Sequence, residues 1–434
     1  MAKIWIEAYG CSASIADSEM MAGLLKNAGH EIVKDVNKAD VNVIVTCAVK
    51  DATANRMVYR IKWLTRTRKP LVAAGCLAKT EPYTIQKYSP KASMLGPDAI
   101  DSTLEVVSTA LMGRKLVALH RSSRPKVNMP RVRLNPIVSM VEIASGCLSD
   151  CSFCQTKLAK GKVKSYRIGD IVRQVRNDVR EGCREVWLTS TDNGAYGRDL
   201  NCNLADLLRN ICEIEGDFMV RVGMMNPAYV PFMADDLIEA YRNDKVFKFL
   251  HIPVQSGSDR LLRLMKRGHK TSVFADVAKR FRKEFTHFTI ATDIIVGFPN
   301  EDGNDFQQTI DLMKEIEPDV INISKFSARP GTEASKMKRV NVKVVKERTK
   351  HLHEIVNAIS YRRNLCWVGW HGEILIDEIK NNGVQGRNFA YKPVFLNETN
   401  ITLGSKVNVK INSAFNHSLV GELELSARST LLDP

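Results

Sequence analysis

Between residue 136 and about residue 335, strand-like and helix-like patterns alternate six times. The strand candidates are "IVSMVEIA", "EVWLTS", "FMVRVGM", "FKFLHIPV", "FTIATDIIV" and "VINISKF", with helix patterns such as "IGDIVRQVRNDVREG" and "NDFQQTIDLMKEIE" between them. Successive strands joined through helices run parallel, and the helices cover the sheet. Six units are too few for an eight-unit barrel, so the pattern predicts a partly open (β/α)6 barrel over residues 136–365. In such an array the site forms where strands end. The segments there are polar or glycine-rich: a cysteine loop, "TSTDNGAYG", "RVGMMNP", "PVQSGSD", "VGFP" and "SARPGT".

Two further regions flank the barrel. Residues 1–112 also alternate strand and helix and predict a small open parallel α/β domain, with Asp17 as a helix N-cap and Gly29 as a helix stop. Three of its strands run into a cysteine at their carboxyl ends, "EAYGC" to Cys11, "VIVTC" to Cys47 and "VAAGC" to Cys76. Ligands gather at such ends, so these three cysteines are expected to converge. After a helix over 342–364, residues 366–434 show alternating segments split by turns, a small antiparallel β-domain of barrel form. Because all six cysteines named here and below precede residue 366, the tail is expected to be dispensable for them.

The net charge is +15, and it is unevenly placed. The linker 113–135 carries Arg114, Lys115, Arg121, Arg124, Lys126, Arg131 and Arg133, and 56–69 carries six cations with Tyr59 and Trp63 interleaved; neither contains an acid. Such segments suit a polyanion, with aromatic rings to stack on unpaired bases, though a solvated helix face and a linker would look alike. The composition is that of an ordinary globular chain. Its start lacks a secretory pattern and no apolar run is long enough for a membrane span, so a cytoplasmic location is expected.

Ten cysteines in such a chain point to metal or redox chemistry more than to disulfides. "GCLSDCSFC" places Cys147, Cys151 and Cys154 in a C-x3-C-x2-C run directly after the first barrel strand. A structural zinc closes on four ligands. Three thiolates can instead hold a four-iron cluster and leave one iron open. Cys183, Cys202, Cys212 and Cys366 share no ligand spacing and are expected to pack; His251 and His269 are expected to be structural.

These stretches, with "YGC…DSE", "TCAVK", "AGCLAK", "HIPVQSGSDRLLRLMKRGH", "TDIIVGFPNED", "SARPGT" and "GRNFAYKPV", resemble the radical S-adenosylmethionine methylthiotransferases over the whole chain. "GCLSDCSFCQTKLAKG" and "EVWLTSTDNGAYGRD" are most similar to the group acting on threonylcarbamoyladenosine in tRNA. Ser12, Ala13 and Ser14 stand where bacterial relatives usually have Gln-Met-Asn. The resemblance implies two [4Fe-4S] clusters, one on Cys147, Cys151 and Cys154 that cleaves S-adenosylmethionine, one on Cys11, Cys47 and Cys76 that delivers sulfur. It implies that Thr189, Ser190 and Asp192 hold the methionyl amine, that Arg221 and Gln255 contact its carboxylate or the ribose, and that Val296, Gly297 and Phe298 line the adenine. It further implies a TRAM domain at the carboxyl end, position 37 of tRNA as substrate, and an electron donor and a sulfur source of unidentified nature. The target would be C2 of the adenine, a C–H without an acidic proton. Isopentenyladenosine in tRNA, or an aspartate of a ribosomal protein, is the alternative substrate. A zinc-stabilised tRNA-binding module is the alternative without turnover.

Overall fold

The computed structural model describes residues 1–47 and 51–424, of which 51–55 by backbone only. The end of "TCAVK" and the last ten residues of the tail lie outside the described residues.

The first body is a parallel sheet of six strands, β1 (Lys3–Ala8), β2 (Glu31–Val33), β3 (Val41–Thr46), β4 (Leu71–Gly75), β5 (Ser93–Leu95) and β6 (Val117–Ala118), in the order β2-β1-β3-β4-β5-β6. Strand β3, "VNVIVT", is buried along its whole length, as a central parallel strand covered on both faces must be. The order reverses between β1 and β3, and a reversal in a parallel sheet opens a crevice at the carboxyl ends. Cys11 and Cys47 stand at those two ends.

Residues 113–135 are not a free basic linker. They supply the edge strand β6 and then thread between the bodies. Lys126 is buried against Asp17 at 2.7 Å and Glu142 at 2.8 Å, Arg133 reaches Asp178 and Glu181, and Arg131 donates to the Met140 carbonyl at 3.0 Å. The acids that neutralise this stretch come from distant parts of the chain, so a window of sequence could not show them.

The barrel strands are β7 (Val138–Glu142), β8 (Glu185–Thr189), β9 (Met219–Val222), β10 (Phe249–His251), β11 (Thr289–Val296) and β12 (Val320–Lys325). All pair in parallel, as two runs ordered β9-β8-β7 and β10-β11-β12, with a bridge from Val220 to Val246 across the seam. Helix Ser12–Asn27 packs against β7, the edge nearest the first body.

The tail closes as a five-stranded barrel, β13 (His371–Lys380), β14 (Gly383–Arg387), β15 (Pro393–Leu396), β16 (Lys406–Ala414) and β17 (Leu419–Leu423), in the order β13-β14-β15-β17-β16. β15 and β17 run parallel; the other neighbours are antiparallel. This barrel plugs the floor of the larger one. The Tyr391 ring lies 4.8 Å from Phe247 and 5.1 Å from Phe249, the Lys248 amide donates to the Phe389 carbonyl at 2.8 Å, and buried Lys392 meets Asp319 at 3.0 Å. A chain ending near Cys366 would expose this apolar floor and take Lys392 from Asp319, leaving that carboxylate to Arg282 and Arg363 at 3.0 and 3.2 Å.

Glu185, fully buried, sits on that floor beside Tyr391 and Asp377. Burial first, and the Asp377 carboxylate second, push its carboxyl up from 4.5 to about 7. Between those values the folded state holds a proton that the unfolded chain has lost, so this group lowers stability as pH rises through the window. Glu185→Gln is expected to flatten that decline, read as the change in melting temperature between pH 5 and about 7.

Candidate active site

The chain leaves β7, turns at Gly146 and enters the cysteine loop. Gly146 has φ +82°, and a Cβ there would lie 2.0 Å from the Lys162 carbonyl oxygen. Only glycine fits. The loop is then fastened by groups other than its thiols. The Cys147 amide donates to the Gly161 carbonyl at 3.1 Å, the Ser152 hydroxyl to the Leu264 carbonyl at 2.8 Å, and Phe153 meets Phe298 edge-on at 6.3 Å. Cys147, Cys151 and Cys154 are half-buried neighbours. Burial pushes the Cys147 thiol up to about 12, and the nearby Asp192 carboxylate adds to this. Burial raises Cys151 as well, opposed by Arg267, whose Nη1 lies 3.4 Å from its sulfur.

Cys11, Cys47 and Cys76 do converge. Cys11 caps helix Ser12–Asn27, Cys47 follows β3, and Cys76 opens helix Cys76–Thr80 after β4. A Cβ at Gly10 would lie 2.9 Å from the Cys47 sulfur, so glycine there lets the two strand ends close. Burial pushes Cys76 up to about 12; the Lys160 cation opposes, and thiolates at Cys11 and Cys47 would add to it. Helix Cys76–Thr80 packs on helix Thr156–Lys160, just beyond the first loop, with Cys76 against Ala159. Ser12 hydrogen-bonds Thr189 across the same boundary at 2.7 Å. The two bodies that carry the thiol sets thus touch beside both of them.

Among the described residues, no three or more His, Cys, Asp or Glu close upon a single ion, and none of the ten cysteines is in a disulfide. The donor chemistry nonetheless fits an iron–sulfur group. Six thiols stand in two sets of three; burial raises Cys76 in one set and Cys147 and Cys151 in the other, and each set has a cation beside it, Lys160 or Arg267. Thiols so placed become thiolates only when a metal's positive charge compensates burial.

The other expected residues divide. Thr189 is buried at the top of β8. Ser190 donates to the Asn193 side chain, and buried Asp192 accepts from the Gly194 and Asn226 amides at 3.0 and 2.9 Å, so its carboxylate chiefly clamps two loops together. Gln255 has φ +77°, a costly backbone for a non-glycine residue, with its amide on the Asp293 carbonyl at 2.8 Å. The Gly297 amide donates to both Glu301 carboxylate oxygens at 3.1 Å. Val296 and Phe298 are fully buried, backbone included, and the Phe298 ring supports Phe153. Arg221 lies below the strand tops, in register with Trp187.

Sequence reasoning missed a buried chain of charges beneath the crevice. Lys126 bridges Asp17 and Glu142, and Lys160 completes it on Glu142 at 2.7 Å. Asp17 is therefore no N-cap, since helix Ser12–Asn27 starts earlier. Burial raises Asp17 to about 6, whereas Lys126 and Lys160 together outweigh burial at Glu142 and hold it down at about 2. Arg267 was also missed, although it lies within "LMKRGH". Cys366 is exposed rather than packed, and the basic segment 56–69 turns several cations inward: Arg60 pairs Glu7 and lies 4.4 Å over Trp63, and Lys62 lies 4.1 Å over Tyr88. Tyr59 stays 65% exposed and open to a partner.

A parallel partial barrel with three cysteines in the loop after its first strand is the architecture of the radical S-adenosylmethionine class, and the Radical SAM superfamily matches residues 141–313. Residues 3–96 match a family described as Uncharacterized protein family UPF0004. The chain belongs to the threonylcarbamoyladenosine tRNA methylthiotransferase family. It is 43% identical over 400 residues to the probable enzyme of that name from Pyrococcus abyssi, covering 91% of this chain and 94% of the relative. The Archaeoglobus fulgidus relative is 40% identical, covering 97% and 98%, and the human one 35% identical, covering 97% of this chain and 74% of its own length. Among solved structures, the radical S-adenosylmethionine methyltransferase TsrM from Kitasatospora setae shares the fold with a TM-score of 0.57 at 13% identity, over 77% of this chain and 75% of that one. Among the described residues, no helix is long and apolar enough to cross a membrane.

Proposed function

We propose that this protein replaces the hydrogen at C2 of N6-threonylcarbamoyladenosine, at position 37 of tRNA, with a methylthio group. The observation that carries this reading is the meeting of two three-thiol sets across the Ser12–Thr189 contact, in a chain alike over nearly its whole length to relatives so named. A cluster on Cys147, Cys151 and Cys154 would supply the electron that cleaves S-adenosylmethionine, and a second on Cys11, Cys47 and Cys76 would supply sulfur. The protein's own part is placement. The loop fastenings at Gly146, Ser152 and Phe153 hold the first set, and Arg267 favours the thiolate form at Cys151. Thr189, Ser190, Asp192 and Gln255 would bind S-adenosylmethionine around the strand tops, with Val296, Gly297 and Phe298 forming the packed wall beneath it. Lys160, held by Glu142 at the end of the buried charge chain, sets a cation against the second set.

The substrate is tRNA, read in part by exposed aromatic and basic groups such as Tyr59, and a cytoplasmic location goes with it. The electron donor and sulfur source are separate partners. Isopentenyladenosine and a ribosomal aspartate are less favoured, because the relatives covering the whole chain are named for threonylcarbamoyladenosine. The test is mass spectrometry of nucleosides from tRNA incubated with the anaerobically reconstituted protein. The 2-methylthio derivative of threonylcarbamoyladenosine should appear; its absence with a brown, dithionite-bleached protein would refute this substrate, and a colourless protein would favour the zinc module.

A further inference from the structure

Inside the barrel, alternate residues point inward. Val186, Leu188, Val220 and Val222 belong to the core under the outer helices, which turns Trp187 and Arg221 to the interior. The Arg221 guanidinium lies 5.0 Å from the Trp187 ring centre and 5.1 Å from those of Phe249 and Tyr391. Among the described residues it has no carboxylate in ion-pair range and no hydrogen bond, and its Nε is fully buried without a partner. Beside it on the same wall, the His251 ring lies 6.4 Å from Phe249 and meets Asp293 at 3.2 Å, while the Asn322 amide donates to Asp293 at 2.8 Å. His251 and Asp293 keep 18% and 30% side-chain exposure, so this layer is reachable from the open end.

Three aromatic faces can hold a cation in place, but they do not satisfy its N–H donors. The Arg221 side chain is only partly covered, but its Nε is buried with no acceptor, and a donor left that way is satisfied when an anion arrives with the ligand. Carboxylates reach the barrel from two sources under the proposed function: the methionyl group of S-adenosylmethionine and the threonyl group on N6 of the substrate. Arg221 is in register with Trp187, two residues below Thr189 on β8, roughly 6–7 Å deeper than the strand tops where the cysteine loop stands. Depth separates the two.

We propose that Arg221 is the specificity residue that binds the carboxylate of the substrate's N6 side chain, within the layer formed with His251 and Asn322. This rests on the methylthiotransferase reading above and reassigns Arg221 from the S-adenosylmethionine contacts. With the N6 substituent drawn down the barrel, the purine is left at the strand tops beside both thiol sets. A side chain lacking a carboxylate, such as isopentenyl, would bury the guanidinium unpaired and be rejected.

The experiment uses the reconstituted full chain, the wild type alongside Arg221→Gln and Arg221→Lys. The probes are S-adenosylmethionine and tRNAs carrying threonylcarbamoyladenosine, its methyl ester or isopentenyladenosine. For Arg221→Gln, kcat/KM on the threonylcarbamoyl tRNA should fall about 10- to 100-fold, with preference over the ester largely lost. The KM for S-adenosylmethionine and 5′-deoxyadenosine formation without tRNA should stay within about twofold, since no contact to that cofactor is removed. Arg221→Lys should recover part of the loss, and it decides the matter if the glutamine variant does not fold. A raised KM for S-adenosylmethionine would return Arg221 to the methionyl carboxylate and overturn the proposal. So would equal loss on the acid and ester substrates, or no loss at all, either of which makes the arginine a packing group. A wild type that cleaves S-adenosylmethionine but methylthiolates no threonylcarbamoyladenosine would refute the parent reading instead, a failure visible before any variant is compared.

Discussion

The chain with Cys147, Cys151 and Cys154 all replaced by alanine should bind about four irons after anaerobic reconstitution where the wild type binds about eight, and should form no 5′-deoxyadenosine. The expectation is sharp because these side chains do little for the fold. The loop is turned by Gly146, tied through the Ser152 hydroxyl to Leu264 and packed through Phe153 on Phe298. Removing three half-buried sulfurs leaves those fastenings in place, and takes away at Cys147 and Cys151 two thiols that burial disfavours as anions. Arg267 loses its sulfur partner but keeps the Pro253 carbonyl at 2.7 Å. The four remaining irons should reside on the first body, whose thiols this variant does not touch. Iron content is counted by chelation and the nucleoside by chromatography. Continued 5′-deoxyadenosine formation would mean that the reductive cleavage occurs elsewhere in the protein.

How much of this could be read from the chain differs by region, for physical reasons. Both thiol sets were legible because cysteine at the end of an apolar strand is a local pattern, and parallel topology carries local patterns to one rim. The barrel was legible through its six-fold alternation. The charge partners were not. Lys126, Arg131 and Arg133 sit in an acid-free stretch, yet they meet Asp17, Glu142, Asp178 and the Met140 carbonyl, all brought there by folding. Asp17 looked like a helix cap because periodicity does not fix a helix start within a turn. The floor was hidden too, since "NFAYKPV" gives no hint that Tyr391 leaves its own small barrel to sit among Phe247 and Phe249. That contact is also what completes the aromatic walls around Arg221. A domain that reads as an appended RNA-binding tail is thus part of the barrel interior.

The opposite replacement, Cys11, Cys47 and Cys76 to alanine, should separate two activities that the wild type couples. Reductive cleavage should persist near the wild-type level, because none of these residues is in the loop 147–154 and helix Thr156–Lys160 keeps its Lys160–Glu142 pair at 2.7 Å. Methylthiolated nucleoside should fall below detection, because no other cysteine is grouped with these three and the sulfur would have no holder. The first body tolerates the change on structural grounds. Cys11 is exposed, its side chain makes no cap hydrogen bond to the helix it precedes, and alanine is small enough for the sites of buried Cys47 and Cys76. The Lys160 cation would lose the thiols it faces and keep the Glu142 carboxylate, so no uncompensated charge is created. One reaction with two readouts on one variant decides the matter. Loss of both products would make the first body's cysteines structural or part of an electron path to the barrel. Survival of both would make them packing residues in a crevice that happens to face the site. Cleavage without methylthiolation is the outcome that two bodies, each presenting three thiols across the Ser12–Thr189 contact, require.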